Sequence, residues 1–232
     1  MNGKKRSQMM RSRWLRFFES VIAEERPGAG VVEQVFKELD RCYREEHRHY
    51  HNWAHIAACL GELDSSRSLA SHPAAVELAL WFHDAVYVPG APDNEQRSAD
   101  MLGNASRRLG LAEATAREAQ ELILETRYGG AGESSEGASA LPRRQDRSLI
   151  RDIDLSILGK PPAEFDRYER AIQREYSVIP AAERWKRRIT VLEGFLVLPR
   201  IYETGHFRKR YERQARRNLN LSISRLRGLS AG

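Results

Sequence analysis

The chain has 232 residues, 41% of them hydrophobic and 8% aromatic, enough apolar material for a sizeable core and too much for a disordered polymer. Its net charge of +6 is peripheral: residues 1–16 carry six Lys or Arg and no acid, residues 206–227 carry eight against Glu212 alone, and the remainder stands at −7. A solvated basic arm and an amphipathic helix account for these ends, and with no nucleic-acid-binding signature beside them a nucleic acid partner is not expected.

In chain order, residues 1–13 read as a basic, disordered arm and 14–227 as one all-α domain. Apolar residues recur at helical spacing over 14–23 and 31–44, with a break at 27–30, and again over 53–63, 74–86, 95–109 and 112–126. The segment 74–86 is apolar on every side apart from Glu77, His83 and Asp84, the pattern of a buried helix. Pro89, Pro92 and Asp93-Asn94 mark a loop after it, and Glu95 opens the next helix. A flexible internal loop is expected over 129–148, Gly/Ser-rich at 129–139, before the segment that bears Asp154. Helices follow at 163–176, 181–202 and 207–226, with Pro199 expected to kink or end the second. No stretch approaches the ~18 apolar residues of a membrane span, and the basic start lacks the apolar segment of a signal peptide. Cys42 and Cys59 have no paired spacing, so reduced thiols and a cytoplasmic protein are expected.

The chemistry concentrates in Tyr50-His51-Asn52-Trp53-Ala54-His55, in Trp81-Phe82-His83-Asp84, and in Asp152-Ile153-Asp154. Burying a carboxylate such as Asp84 costs several kcal/mol unless it is paired or coordinates a metal. His83 beside it, and His51 and His55 four residues apart, offer imidazole nitrogens. A mixed imidazole and carboxylate shell suits a divalent ion such as Mn, Fe, Ni, Zn or Mg, and no thiolate is expected near it, which argues against a structural zinc knuckle. Each position also has a bland reading: an ion pair or helix C-cap for His83-Asp84, a solvated helix face for His51 and His55, an N-cap for Asp154. Together they leave two carboxylates and two or three imidazoles in apolar segments without a cause, which favours a metal.

The order His, His-Asp, distant Asp resembles the HD superfamily of metal-dependent phosphohydrolases, and in particular its branch of predicted phosphohydrolases. The resemblance runs through His47-Arg48-His49-Tyr50-His51-Asn52, Trp81 to Tyr87, Asp93-Asn94-Glu95, Asp154-Leu155-Ser156-Ile157-Leu158-Gly159 and Ile201-Tyr202-Glu203-Thr204. It implies a single-domain HD-type helical bundle with a metal site in its core, and makes His55, His83, Asp84 and Asp154 the metal ligands. His55 is preferred to His51 as first ligand, with His51 as a supporting group or substrate contact. Relatives usually carry a histidine after the Thr-Arg pair, where Tyr128 stands here.

On that resemblance the expected activity is hydrolysis of a small phosphorylated molecule, a nucleotide by preference, by water activated at the metal. Asp84 and Glu95 are the catalytic candidates, Glu95 to orient or deprotonate that water. Arg48, Arg97 and Arg188 are the cationic candidates for holding phosphate. The rival expectations are an HD-fold protein that binds a metal or nucleotide without turnover, and an oxygen-activating iron enzyme.

Overall fold

The computed structural model describes residues 3–21, 29–128 and 141–230. They form ten α-helices, two short 3-10 turns and no strand. The all-α expectation therefore holds. No helix among the described residues is long and apolar enough to cross a membrane. The chain divides into two compact units, Met1–Thr126 and Arg127–Gly232.

The first unit holds α1 (Gly3–Val21), α2 (Ala29–Cys42), α3 (Trp53–Ser66), α4 (Pro73–Phe82), α5 (Asn94–Leu109) and α6 (Glu113–Leu124). Helix α4 is its centre: every side chain from Ala75 to Phe82 is buried, because Pro73 starts the helix and no polar face follows. Around it pack Trp14 and Phe18 of α1, Phe36 of α2 and Trp53 of α3, with Trp14 and Trp53 edge-on to Trp81 at 5.2 and 5.9 Å. The indole N–H groups of these two are satisfied, Trp14 by Val32 O at 3.0 Å and Trp53 by Asp40 Oδ1 at 2.7 Å.

Two expectations change here. Residues 3–13 are not a disordered arm but the first turns of α1, because their charges find partners: Arg11 pairs with Glu33, and Arg13 joins Asp64 to the buried Glu77. Of the break expected at 27–30, residues 27 and 28 lie outside the described residues, while Ala29 and Gly30 begin α2.

The second unit holds α7 (Leu141–Asp154), a 3-10 turn (Leu155–Gly159), α8 (Pro162–Glu175), α9 (Ala181–Val197) and α10 (Gly205–Ser230). Of the loop expected over 129–148, residues 141–148 are instead helical, and Asp146, Leu149, Ile150 and Ile153 are buried along α7. Residues 129–140 lie outside the described residues. Helix α9 ends at Val197 with Leu198 extended, as the residue before Pro199 must be.

Candidate metal centre

Helix α3 starts where a cap allows it. Asn52 Oδ1 accepts from Ala54 N at 2.8 Å, and its amide donates to Arg48 O at 3.2 Å. The cap puts His55 in the first helical turn, buried, and leaves His51 before the helix rather than on it. His51 and His55 thus do not share a helical face. The His51 ring stacks on Tyr87 at 4.0 Å.

Helix α4 ends at Phe82, earlier than its apolar run suggests. His83 is its C-cap, with its N–H on Ala79 O at 2.8 Å, and Asp84 begins the descent into a loop. That loop is pinned on three sides. Arg48 donates to Asp84 O at 2.5 Å and Ala85 O at 2.9 Å; Ser98 Oγ accepts from Val86 N at 3.0 Å; and Asn94 pairs with both main-chain groups of Val88 at 2.9 Å. The positive φ at Gly90, 82°, turns the chain back toward α5.

The result is a convergence of three atoms. His55 Nε2 lies 3.1 Å from His83 Nε2, and Asp84 Oδ2 lies 3.3 Å from the first and 3.2 Å from the second. Both imidazoles are buried, and Asp84 Oδ2, itself buried, has these two ring nitrogens as its neighbours. His83 Nδ1 sits 3.1 Å from Leu80 O, a contact only an N–H can make, so a neutral His83 turns a lone pair toward Asp84. His55 has at most one Nε2–H to offer two acceptors. A positive charge is needed at the centre of the triangle, either an extra proton or a metal ion.

The donor set fits an ion. Ligands about 2.0–2.1 Å from a four-coordinate metal lie about 3.3–3.4 Å apart, and those of an octahedral one about 2.9 Å. The observed separations of 3.1–3.3 Å fall between these values. The Leu80 carbonyl on His83 Nδ1 is the outer contact that fixes a ligating histidine in its tautomer. With the imidazoles protonated in place of an ion, burial would push the Asp84 carboxyl up, but His83, His51 and the adjoining His55 outweigh it and hold the group well below the usual carboxylate range.

One residue was missed in the sequence. Cys59 Sγ lies 3.7 Å from both ring nitrogens of His55, and its ligand atom and those of His55 and His83 are all within 4.8 Å of one another. The expectation that no thiol stands near the site is therefore corrected. The signal was present as the i, i+4 spacing of His55 and Cys59, which places both on one face of α3.

The phosphate candidates fare differently. Arg48 is buried and committed: besides Asp84 O and Ala85 O it donates to Glu45 at 2.8 Å and His51 O at 3.1 Å, and it lies against the rings of Tyr43 and Tyr87. Arg97 is exposed on the first turns of α5, where Glu95 is half-buried. In the second unit Arg188 is half-buried and held between Glu169 and the Tyr168 hydroxyl, the latter at 2.9 Å. Asp154 ends α7 in that unit, half-buried and helical in backbone, and its side chain does not cap the turn that follows, which sets the N-cap reading aside. Tyr128 donates its hydroxyl to Arg151 O at 3.2 Å.

The remaining motifs of the second unit are structural. Asp152 is fully buried and accepts from Glu203 N, Thr204 N and Thr204 Oγ1 at 2.8, 2.8 and 2.6 Å, and Tyr202 donates to Leu155 O at 3.0 Å. The stretch from Ile201 to Thr204 is thus the seat on which α10 starts. No protein-family model, curated protein or solved structure matches the chain.

Proposed function

We propose that the first unit holds a divalent metal ion on His55, His83 and Asp84, and that the protein is a metal-dependent phosphohydrolase of HD type acting on a small phosphorylated substrate such as a nucleotide. The observation that carries the metal is the triangle of His55 Nε2, His83 Nε2 and Asp84 Oδ2, closed to 3.1–3.3 Å with the carboxylate oxygen buried. Two imidazoles and a carboxylate gathered in an apolar interior are costly to bury without a use. The phosphohydrolase reading, the HD-type bundle and Asp154 as a further ligand rest on the sequence resemblance. A bound divalent ion supplies Lewis-acid polarisation of a phosphoryl oxygen and a lowered pKa for water. The chain's part is to keep His83 in one tautomer through Leu80 and to hold the loop that carries Asp84 through Arg48.

A specific observation favours the second reading, binding without turnover: Arg48 and Arg188, two of the three cations expected to hold phosphate, are engaged by internal partners. One experiment separates the cases. Protein purified without added metal or chelator is analysed for metals beside Asp84→Ala, and then screened for phosphate release from nucleotides. Metal in the wild type alone, with phosphate release, supports the enzyme; metal without release supports the binding protein. Equal metal in both proteins overturns the site.

A further inference from the structure

The two basic ends of the chain have different fates. At the amino-terminal end Arg11 and Arg13 are neutralised by Glu33, Asp64 and Glu77. On α10 the exposed cations Lys209, Arg213 and Arg217 follow one another at four-residue intervals, and among the described residues no carboxylate pairs with any of them. The acids nearest to them in sequence are already taken: Glu212 accepts from Ile201 N, Tyr202 N and Arg216, and Glu203 accepts from Ser148 Oγ and pairs with Arg151. Four-residue spacing puts the three cations on one side of the helix, about 12 Å from first to last. The whole unit shares this sign, since residues 127–232 carry 22 Lys or Arg against 13 Asp or Glu, while residues 1–126 carry 16 against 19. Like charges one helical turn apart repel, and an anionic partner removes that repulsion.

Aliphatic side chains stand beside this row. Arg216 donates to Leu196 O, Leu198 O and Pro199 O at 3.1, 2.8 and 3.2 Å, which lays the end of α9 and the residues after it along α10 next to Arg217. Val197 and Leu198 are 79% and 39% exposed there, and Arg200, between the tied Pro199 and Ile201, is exposed as well. A nucleic acid would use the cations but not the aliphatic pair, and among the described residues no Trp, Tyr or Phe is exposed to stack on bases. An anionic bilayer uses both, because its headgroups take the cations and its acyl boundary takes the aliphatic chains.

We propose that the second unit docks on an anionic membrane surface through Lys209, Arg213 and Arg217 of α10, with Arg200 and the exposed pair Val197-Leu198 beside them. The contact is peripheral, since no described helix is long and apolar enough to span a bilayer. It is independent of the metal reading, whose three atoms lie in the first unit.

The test sediments the full chain with vesicles of phosphatidylcholine alone and of an equal mixture of phosphatidylcholine and phosphatidylglycerol, at low and at physiological salt. The expected result is binding to the mixed vesicles only, weakened by salt. A cation near an anionic surface is worth on the order of fivefold in affinity, so Lys209→Gln, Arg213→Gln and Arg217→Gln together are expected to weaken binding about 100-fold. Val197→Ser with Leu198→Ser is expected to weaken it as well. A control with Lys37→Gln, Arg107→Gln and Arg117→Gln removes the same charge from exposed positions of the first unit and is expected to bind as the wild type does. No binding to the mixed vesicles, equal binding to the neutral ones, or equal loss in the two triple variants overturns the surface. Full binding by the serine pair overturns the part given to Val197 and Leu198. Labelled single-stranded and duplex oligonucleotides are titrated beside the vesicles. An oligonucleotide that binds more tightly than the vesicles, and is lost in the α10 variant alone, overturns the lipid and makes a nucleic acid the partner.

Discussion

The guanidinium of Arg48 donates to the main-chain oxygens of Asp84 at 2.5 Å and Ala85 at 2.9 Å, so a residue from before α3 fixes the turn that presents the candidate ligand after α4. The same group reaches His51 O at 3.1 Å and Glu45 at 2.8 Å, which ties the two ligand-bearing segments of the first unit to each other. Arg48 has no route to a phosphate that does not cost these contacts. Its role is to position Asp84.

Replacing Arg48 with Ala removes the donor from three main-chain oxygens, those of His51, Asp84 and Ala85, and is expected to cost about 2–4 kcal/mol of stability. Outer contacts of metal ligands typically change affinity about 10–100-fold, and Arg48→Ala is expected to weaken metal binding in that range. Calorimetric titration with Zn2+ and thermal melts, run beside Arg48→Lys, provide the check. Lys keeps the charge but not the fork, so it is expected to recover little; a lysine variant with full metal affinity would show that charge alone, not the paired donation, was at work.

Metal should also stabilise the fold, because the triangle exists only when α3 and the end of α4 are in place. An ion that binds the native state alone adds about 2.7 kcal/mol at a free concentration one hundred times its Kd. The expected outcome is a clear rise in melting temperature with Zn2+ or Co2+, reversed by a chelator and absent in His83→Ala and Asp84→Ala. A rise of equal size in those variants would locate the binding elsewhere.

The helices were legible because their apolar residues recur at a helical period and their ends carry Pro, Gly or Asn signals, as at Pro73, Gly110 and Pro199. Residues 3–13 were not, because composition shows a run of basic residues there, while the partners that order them, Glu33, Asp64 and Glu77, are distant in the chain. At the site, His55, His83 and Asp84 stood out since buried polar groups in apolar runs need a cause. Cys59 did not, since a small hydrophobic thiol in an apolar helix needs none. Arg48 looks like a phosphate ligand in sequence because a sequence shows the charge and not the carbonyls that have already claimed it.

Gly159 offers a test of the second unit that is independent of any ligand. A Cβ built there would overlap Tyr211 Cβ and lie 2.8 Å from Tyr211 O, inside the backbone of α10. Asn218 locks the same approach by donating to Leu158 O and Lys160 O, each at 2.8 Å. Neither the turn Leu155–Gly159 nor a helix backbone can yield easily, so Gly159→Ala is expected to destabilise by about 1–3 kcal/mol or more. Urea unfolding followed by circular dichroism measures it. A variant as stable as the wild type would mean that the turn and α10 are not packed this closely.

Asp152 gives the second unit a pH dependence of its own: burial pushes its carboxyl up to about 6, against the lowering effect of its hydrogen bonds from Thr204 and Glu203. An acid raised above its unfolded value binds more protons in the folded state, so the unfolding free energy falls as pH rises between the two values. The window runs from the ordinary carboxylate range near 4 to about 6. Within it Asp152 is expected to make the protein less stable toward neutral pH, by on the order of 1.4 kcal/mol for each pH unit crossed. Asp152→Asn stays neutral throughout, but its amide turns a donor toward donors and should cost about 1–3 kcal/mol. The measurement is urea unfolding of both proteins at several values between pH 4 and 7. The difference between them is expected to be largest at the acid end, where the wild-type carboxyl is protonated, and to shrink as that proton is lost; parallel curves would show that Asp152 does not titrate in this range.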